Sequence, residues 1–155
     1  MRIAVLAVGR LGRAPEALLA RDWAERASAA GRALSLGPVE LIEVEAKKPG
    51  KAAEADALAA RIESQDHLIA CDERGAARAS RDFALQIERL RDDGVRRLVF
   101  LIGGADGLDE SLLQRARGRL AFGPQTWPHA LVRAMLCEQV YRAVTILGGS
   151  PYHRD

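Results

Sequence analysis

Residues 97–107 read RLVFLIGGADG. After Arg97 the run LVFLI has no polar interruption, and it stops at once on Gly103, Gly104, Ala105, Asp106 and Gly107. This pattern predicts a buried strand that opens directly into a tight turn. The same reading extends outward in both directions. Toward the N-terminus, strands are predicted at Arg2–Val8 (RIAVLAV), Val39–Val44 (VELIEV) and His67–Cys71 (HLIAC). Between them, Pro15 opens a helix carrying Leu18, Leu19, Trp23 and Ala27 and closing near Gly31. A basic loop, AKKPGKAAEA, overlaps a second helix at Ala53–Glu63, and a third begins at Ser80, runs through Phe83, Ile87 and Leu90 and ends by Gly94. Toward the C-terminus, Asp109 is placed to cap a short helix through Leu112 and Leu113. A fifth strand at Arg119–Phe122, a loop with two prolines (GPQTWPHA), a helix over Leu131–Leu147 and a tail over Gly148–Asp155 complete the chain. Regular alternation of strand and helix at this spacing implies an α/β fold: a mostly parallel sheet with helices on both faces, in one domain spanning residues 1–155.

Composition sets the outer bounds. A chain of 155 residues with 48% hydrophobic residues can build a core and is not intrinsically disordered. No apolar run reaches the roughly 20 residues that cross a bilayer, and the N-terminal apolar stretch is too short and interrupted for a secretory signal, so a cytoplasmic location is expected. Cys71 and Cys137 lie far apart and outside any metal-ligand spacing, so neither a metal site nor a disulfide framework is expected. The net charge of +2 conceals basic ends around an acidic middle: residues 54–109 hold 12 Asp/Glu against 8 Lys/Arg. This permits a nucleic-acid partner without requiring one.

In parallel sheets of this kind, ligands bind beyond the carboxyl ends of the strands. Three segments are predicted there: Cys71–Gly75, Gly103–Gly107 and Gly123–Pro128. Glycines directly after a buried strand either let a ligand approach the backbone or serve a tight turn. Neither GxGxxG nor GxxxxGK[ST] is present, which argues against a conventional dinucleotide fold and against a phosphate-cradling loop. Pro124 and Pro128 stiffen a loop whose backbone groups could read an adenine edge. His129 follows that loop, and Arg133 lies one turn further on the same helical face. Arg133 and Arg142 could each hold a phosphate or a carboxylate such as Glu138. The Asp72–Glu73 pair could meet a ligand cation or form a solvated turn. Tyr152, His153 and Arg154 combine an aromatic ring for base stacking with cations for phosphate.

The separated motifs VAVG, LIGGADGL, WPHALVR, the E-x-x-YRA run and the terminal PYHRD resemble, in order and over nearly the whole chain, the RlmH (YbeA-like) family of SPOUT-class methyltransferases. Ala105 and Ala130 stand where the family more often has proline, and GPQTW replaces a more aliphatic loop. The resemblance implies an α/β fold with a C-terminal trefoil knot. It also implies a homodimer that uses S-adenosylmethionine to methylate N3 of a pseudouridine in helix 69 of 23S rRNA on the assembled ribosome. Carried over position by position, it assigns cofactor binding to Cys71, Asp72, Gly103, Gly104, Gly123, Pro124, Gln125, Thr126, Trp127 and Pro128. For such a reaction His129, Arg133, Arg142 or His153 could assist deprotonation of the base, with His129 the first candidate because it stands at the cofactor loop, and RNA contact is expected of Tyr152, His153 and Arg154. The apolar face of the last helix, bordered by Arg133 and Arg142, is expected at the dimer interface, and the Lys47–Lys51 loop is a further candidate for RNA contact. Three other readings remain open at this point: a SPOUT enzyme with another RNA target, such as a tRNA ribose, a non-catalytic RNA- or ribosome-binding factor, and a nucleotide-binding α/β regulator with no RNA role. Calorimetric titration with the cofactor separates enzyme from binder.

Overall fold

The apolar runs pair as one parallel sheet in the order β2-β1-β4-β3-β5. Its strands are β1 (Arg2–Val8), β2 (Val39–Val44), β3 (His67–Ala77), β4 (Arg97–Ile102) and β5 (Gly118–Ala121). The helices are α1 (Pro15–Gly31), α2 (Lys51–Ala59), α3 (Ser80–Asp92), α4 (Glu110–Arg115) and α5 (His129–Leu147). The structure, a computed structural model, describes residues 1–154; Asp155, the last residue of the expected tail, lies outside the described residues.

Period-two alternation divides the strands between two cores. Ile3, Val5, Ala7, Leu98, Phe100 and Ile102 face α1, α3 and α5, packing with Ala24, Phe83, Leu136 and Val140. Ala4, Leu6, Val8, Val99 and Leu101 face α2 and α4, packing with Leu58 and Leu112. Both sides of β1 and β4 are thus dry, which is why their sequences show no polar alternation.

Of the boundaries that differ from the sequence reading, three have a clear local reason. β3 does not stop at Cys71: a bulge between Cys71 and Ala76 absorbs the polar run Asp72–Gly75, after which Ala76 and Ala77 resume pairing with β5. α2 starts at Lys51 because Gly50, at φ +106°, turns the chain into it, so half of the expected basic loop is helical. α5 starts at His129, directly after Pro128, which occupies the cap position.

The expectation for the apolar face of α5 is corrected. Leu136, Val140 and Val144 are fully buried against the chain's own sheet and α1, so that face is not free for a partner. A helix at the centre of a layer spends its apolar stripe on its own core. What remains outward is the strip at Leu131 and Met135, which with Leu19, Trp23 and Phe122 lines a cleft of about 500 Å³.

Candidate active site

The carboxyl ends of β4, β3 and β5 lie side by side. Ala70 pairs with Leu101 and Cys71 with Leu120. The segments that leave these strands, Gly103–Gly107, the β3 bulge and Gly123–Pro128, therefore share one edge of the sheet. Each has a visible local cause.

The Gly103–Gly107 turn closes on itself: the Gly107 N–H donates to the Gly104 carbonyl at 3.1 Å. A Cβ on Gly103 would stand 2.5 Å from the Gly107 carbonyl carbon and 2.7 Å from the Leu108 nitrogen. Backbone fills that space, so only glycine fits. Asp109 caps α4 as expected, accepting from the Ser111 hydroxyl at 2.6 Å and from the Ser111 N–H at 2.9 Å; the hydroxyl bond first, and then the N–H bond, hold its carboxyl below the usual range.

The bulge of β3 ties to the proline loop. Thr126 Oγ1 donates to Glu73 Oε2 at 3.1 Å, across 53 residues of sequence. Asp72 accepts from the Arg74 N–H at 2.8 Å and stands 3.6 Å from the Arg119 guanidinium. Of the pair left open in the sequence, Glu73 is thus a clasp on the loop and Asp72 braces the bulge. Within the loop, Gly123 takes φ +100° and Trp127 Nε1 donates to the Phe122 carbonyl at 3.1 Å. Among the described residues, no carbonyl or side chain accepts from the backbone N–H groups of Gln125, Thr126 or Trp127. They are available donors on a braced loop. Replacing Thr126 by valine is expected to cost less than about 1 kcal/mol of stability while speeding amide hydrogen exchange selectively over residues 123–128. Unchanged exchange there would show that the clasp does not order the loop.

Burial pushes the Cys71 thiol up to about 12, so it is neutral near pH 7 and is not activated as a nucleophile. Cys137, fully buried, is likewise raised to about 12.

His129 opens α5 immediately after the loop. Arg133, one turn on, is buried, with only 3% of the residue exposed. Its Nη1 donates to Glu43 Oε1 at 2.9 Å and its Nη2 to the Val8 carbonyl at the end of β1. Glu43 also accepts from the Leu11 N–H at 3.1 Å. The guanidinium therefore joins α5 to the ends of β1 and β2, and burial lowers its pKa despite Glu43. Nothing in the alternating VELIEV pattern marks Glu43 as its partner; alternation only places that residue off the apolar positions.

Arg142 meets the carboxylate named for it in the sequence reading: its Nε donates to Glu138 Oε1 at 3.0 Å. The tail folds onto this pair. Tyr152 donates its hydroxyl to Glu138 Oε1 at 3.0 Å, lies under the Arg142 guanidinium at 4.9 Å, and contacts the rings of Tyr141 and Trp23. Desolvation and the Glu138 hydrogen bond raise the Tyr152 hydroxyl pKa. His153 Nδ1 is 3.2 Å from Arg142 Nη1. Arg142 is 13 residues beyond His129 on one helix, about 20 Å at 1.5 Å per residue. The expected site residues thus form two groups in a single chain: the loops with His129, and the tail with Arg142.

A parallel sheet with helices on both faces and three loops gathered at its carboxyl edge defines an α/β protein built to hold a ligand at its strand ends. A family model described as "Predicted SPOUT methyltransferase" matches residues 1–153, and the chain belongs to that family of methyltransferases. Among similar proteins, the ribosomal RNA large subunit methyltransferase H of Phenylobacterium zucineum (strain HLK1) is 71% identical over 155 residues, covering 100% of both chains. The protein of the same name from Caulobacter sp. (strain K31) is 68% identical, again over 100% of both. A crystal structure of a probable methyltransferase from Bordetella pertussis Tohama I shares the fold, with a TM-score of 0.56 at 14% identity, covering 92% of this chain and 96% of that one. No helix among the described residues is long and apolar enough to cross a membrane, and no group of three or more His, Cys, Asp and Glu among them could hold a metal ion.

Proposed function

We propose that this chain transfers a methyl group from S-adenosylmethionine to N3 of a pseudouridine in helix 69 of 23S rRNA on the assembled ribosome, acting in the cytoplasm as a homodimer. The observation that carries this reading is the meeting of three loops at one sheet edge, with the unengaged N–H groups of Gln125–Trp127 on a loop clasped to β3. Such donors suit an adenine edge, and the Gly103–Gly107 turn stands at the same sheet edge as that loop, so these residues fit the cofactor. The names of the full-length relatives support ribosomal RNA as the substrate class.

When bound, the cofactor supplies a methyl group already activated on a sulfonium. The protein's work is alignment, exclusion of water and help with the N3 proton. Gly103 and Gly104 form one side of the cofactor site, Gly123–Pro128 the other, and Cys71 and Asp72 the wall between. His129 stands nearest in sequence to that loop and is assigned to relieve the N3–H proton or steady the charge that develops there. Arg133 anchors the start of α5, so it holds His129 and the loop in place. Arg142, through Glu138, sets the tail for RNA contact by Tyr152, His153 and Arg154.

Separation of the two groups by about 20 Å along α5 supports a site shared between copies, with the tail of one subunit serving the loops of the other. The cleft lined by Leu19, Trp23, Leu131 and Met135, flanked by exposed Leu18, gives an apolar surface for that contact. A C-terminal trefoil knot is part of the same proposal. It is supported by the return of α5 from the edge strand β5 across the sheet, where Arg133 reaches Val8 of β1.

The deciding test is methyl incorporation into ribosomes lacking the modification, followed by mapping of the methylated nucleotide. Label at another RNA, or none, would refute the assignment. Within this reading, His129→Ala is expected to lower the single-turnover rate at least tenfold while cofactor affinity stays within about twofold; an unchanged rate removes His129 from the role.

A further inference from the structure

Glu54 lies in the first turn of α2, where its N–H donates to the Gly50 carbonyl at 3.1 Å. Its side chain turns onto the glycine turn of β4. Both carboxylate oxygens lie within 3 Å of the point a Cβ of Gly104 would occupy, Oε1 at 2.7 Å and Oε2 at 2.9 Å. The residue is half-buried, and among the described residues no hydrogen-bond donor or cation engages that carboxylate. An acidic residue in a first helical turn is favoured by the helix dipole. That accounts for a glutamate at position 54, but not for its lying across bare glycine backbone.

The location gives the carboxylate a use. The chain leaves β1 toward the α1 face and β4 toward the α4 face, so this strand pair is the switch point of the sheet, beside which open parallel sheets take ligands. Gly104 follows β4 at that switch point, and Glu54 covers it from α2. A half-desolvated carboxylate without an internal cation attracts positive charge. S-adenosylmethionine carries two positive centres, the sulfonium and the α-ammonium.

We propose that Glu54, resting against Gly104, recognises the cationic part of the methyl donor. This rests on the donor assignment made above and adds a binding residue outside the three loops.

The test is calorimetric titration of the full-length protein and of Glu54→Gln with three ligands. S-adenosylmethionine carries both cationic centres, S-adenosylhomocysteine only the ammonium, and 5′-methylthioadenosine neither. Expected is a loss of about tenfold or more for S-adenosylmethionine, with 5′-methylthioadenosine unchanged within about twofold and Glu54→Asp recovering part of the loss. A matching loss for S-adenosylhomocysteine supports contact with the ammonium, and a small one supports contact with the sulfonium. Equal weakening of all three ligands overturns the proposal, because Glu54 would then only support the turn. So does unchanged binding of S-adenosylmethionine. A wild-type chain that binds none of the three instead refutes the donor assignment itself.

Discussion

Gly103→Ala is expected to abolish measurable cofactor binding, with a loss of more than a hundredfold, and to cost about 1–3 kcal/mol of stability. The added methyl would stand 2.5 Å from the Gly107 carbonyl carbon and 2.6 Å from its oxygen, and the Leu108 nitrogen is 2.7 Å away. All three are backbone atoms in a turn already closed by the Gly107–Gly104 hydrogen bond, so none can swing aside as a side chain would. Relief requires the turn to open, and Leu108, buried behind it in the α2/α4 core, must move with it. The loop would then lose the conformation that lets a ligand approach. Gly118→Ala is the matched control: a Cβ there meets nothing within 4 Å, so binding and stability should be nearly unchanged. Calorimetric titration beside chemical denaturation separates the two effects. Full-strength binding by the Gly103 variant would mean that the turn is not part of the cofactor site.

Arg133→Met is expected to destabilise the fold by about 3 kcal/mol, at the low end of the range for breaking a buried ion pair because Glu43 retains some access to water. Methionine keeps much of the volume but leaves the Glu43 carboxylate without its cation and the Val8 carbonyl without its donor. Arg133→Lys should not rescue fully, since one ammonium cannot reproduce a planar fork that reaches two acceptors on two strands. Because the same residue fixes the start of α5, the variant should also loosen the 123–128 loop, seen as faster amide exchange there. A shift of the denaturation midpoint worth less than 1 kcal/mol would mean that the pair contributes little to holding the helix.

Much of this fold was legible in the residues. β1, β2, β4 and α1 fall within the bounds read from sequence, because doubly buried strands such as β1 and β4 must be apolar throughout, the edge strand β2 alternates, and a helix opened by Pro15 and closed by Gly31 carries its own punctuation. The glycine turn and the Asp109 cap were equally plain. The β3 bulge was not: Asp72–Gly75 is as polar as any turn, and only pairing with β5 on its far side makes it part of a strand. The apolar face of α5 proved to be core for a related reason. An apolar stripe says that something covers it, not what, and here α1 and the sheet do so.

Hydrophobic periodicity and the placement of glycine and proline act locally along the chain, so the parallel α/β class, its element order and the loops in which chemistry can occur are all legible in the residues. Which charges meet is set by the packing of distant segments. Glu43 finds Arg133 across 90 residues, Glu73 finds Thr126 across 53, and Glu54 settles on Gly104. A carboxylate on a polar surface has the same local signature whether it faces water or a partner, so its role is set only when the sheet order brings distant segments together.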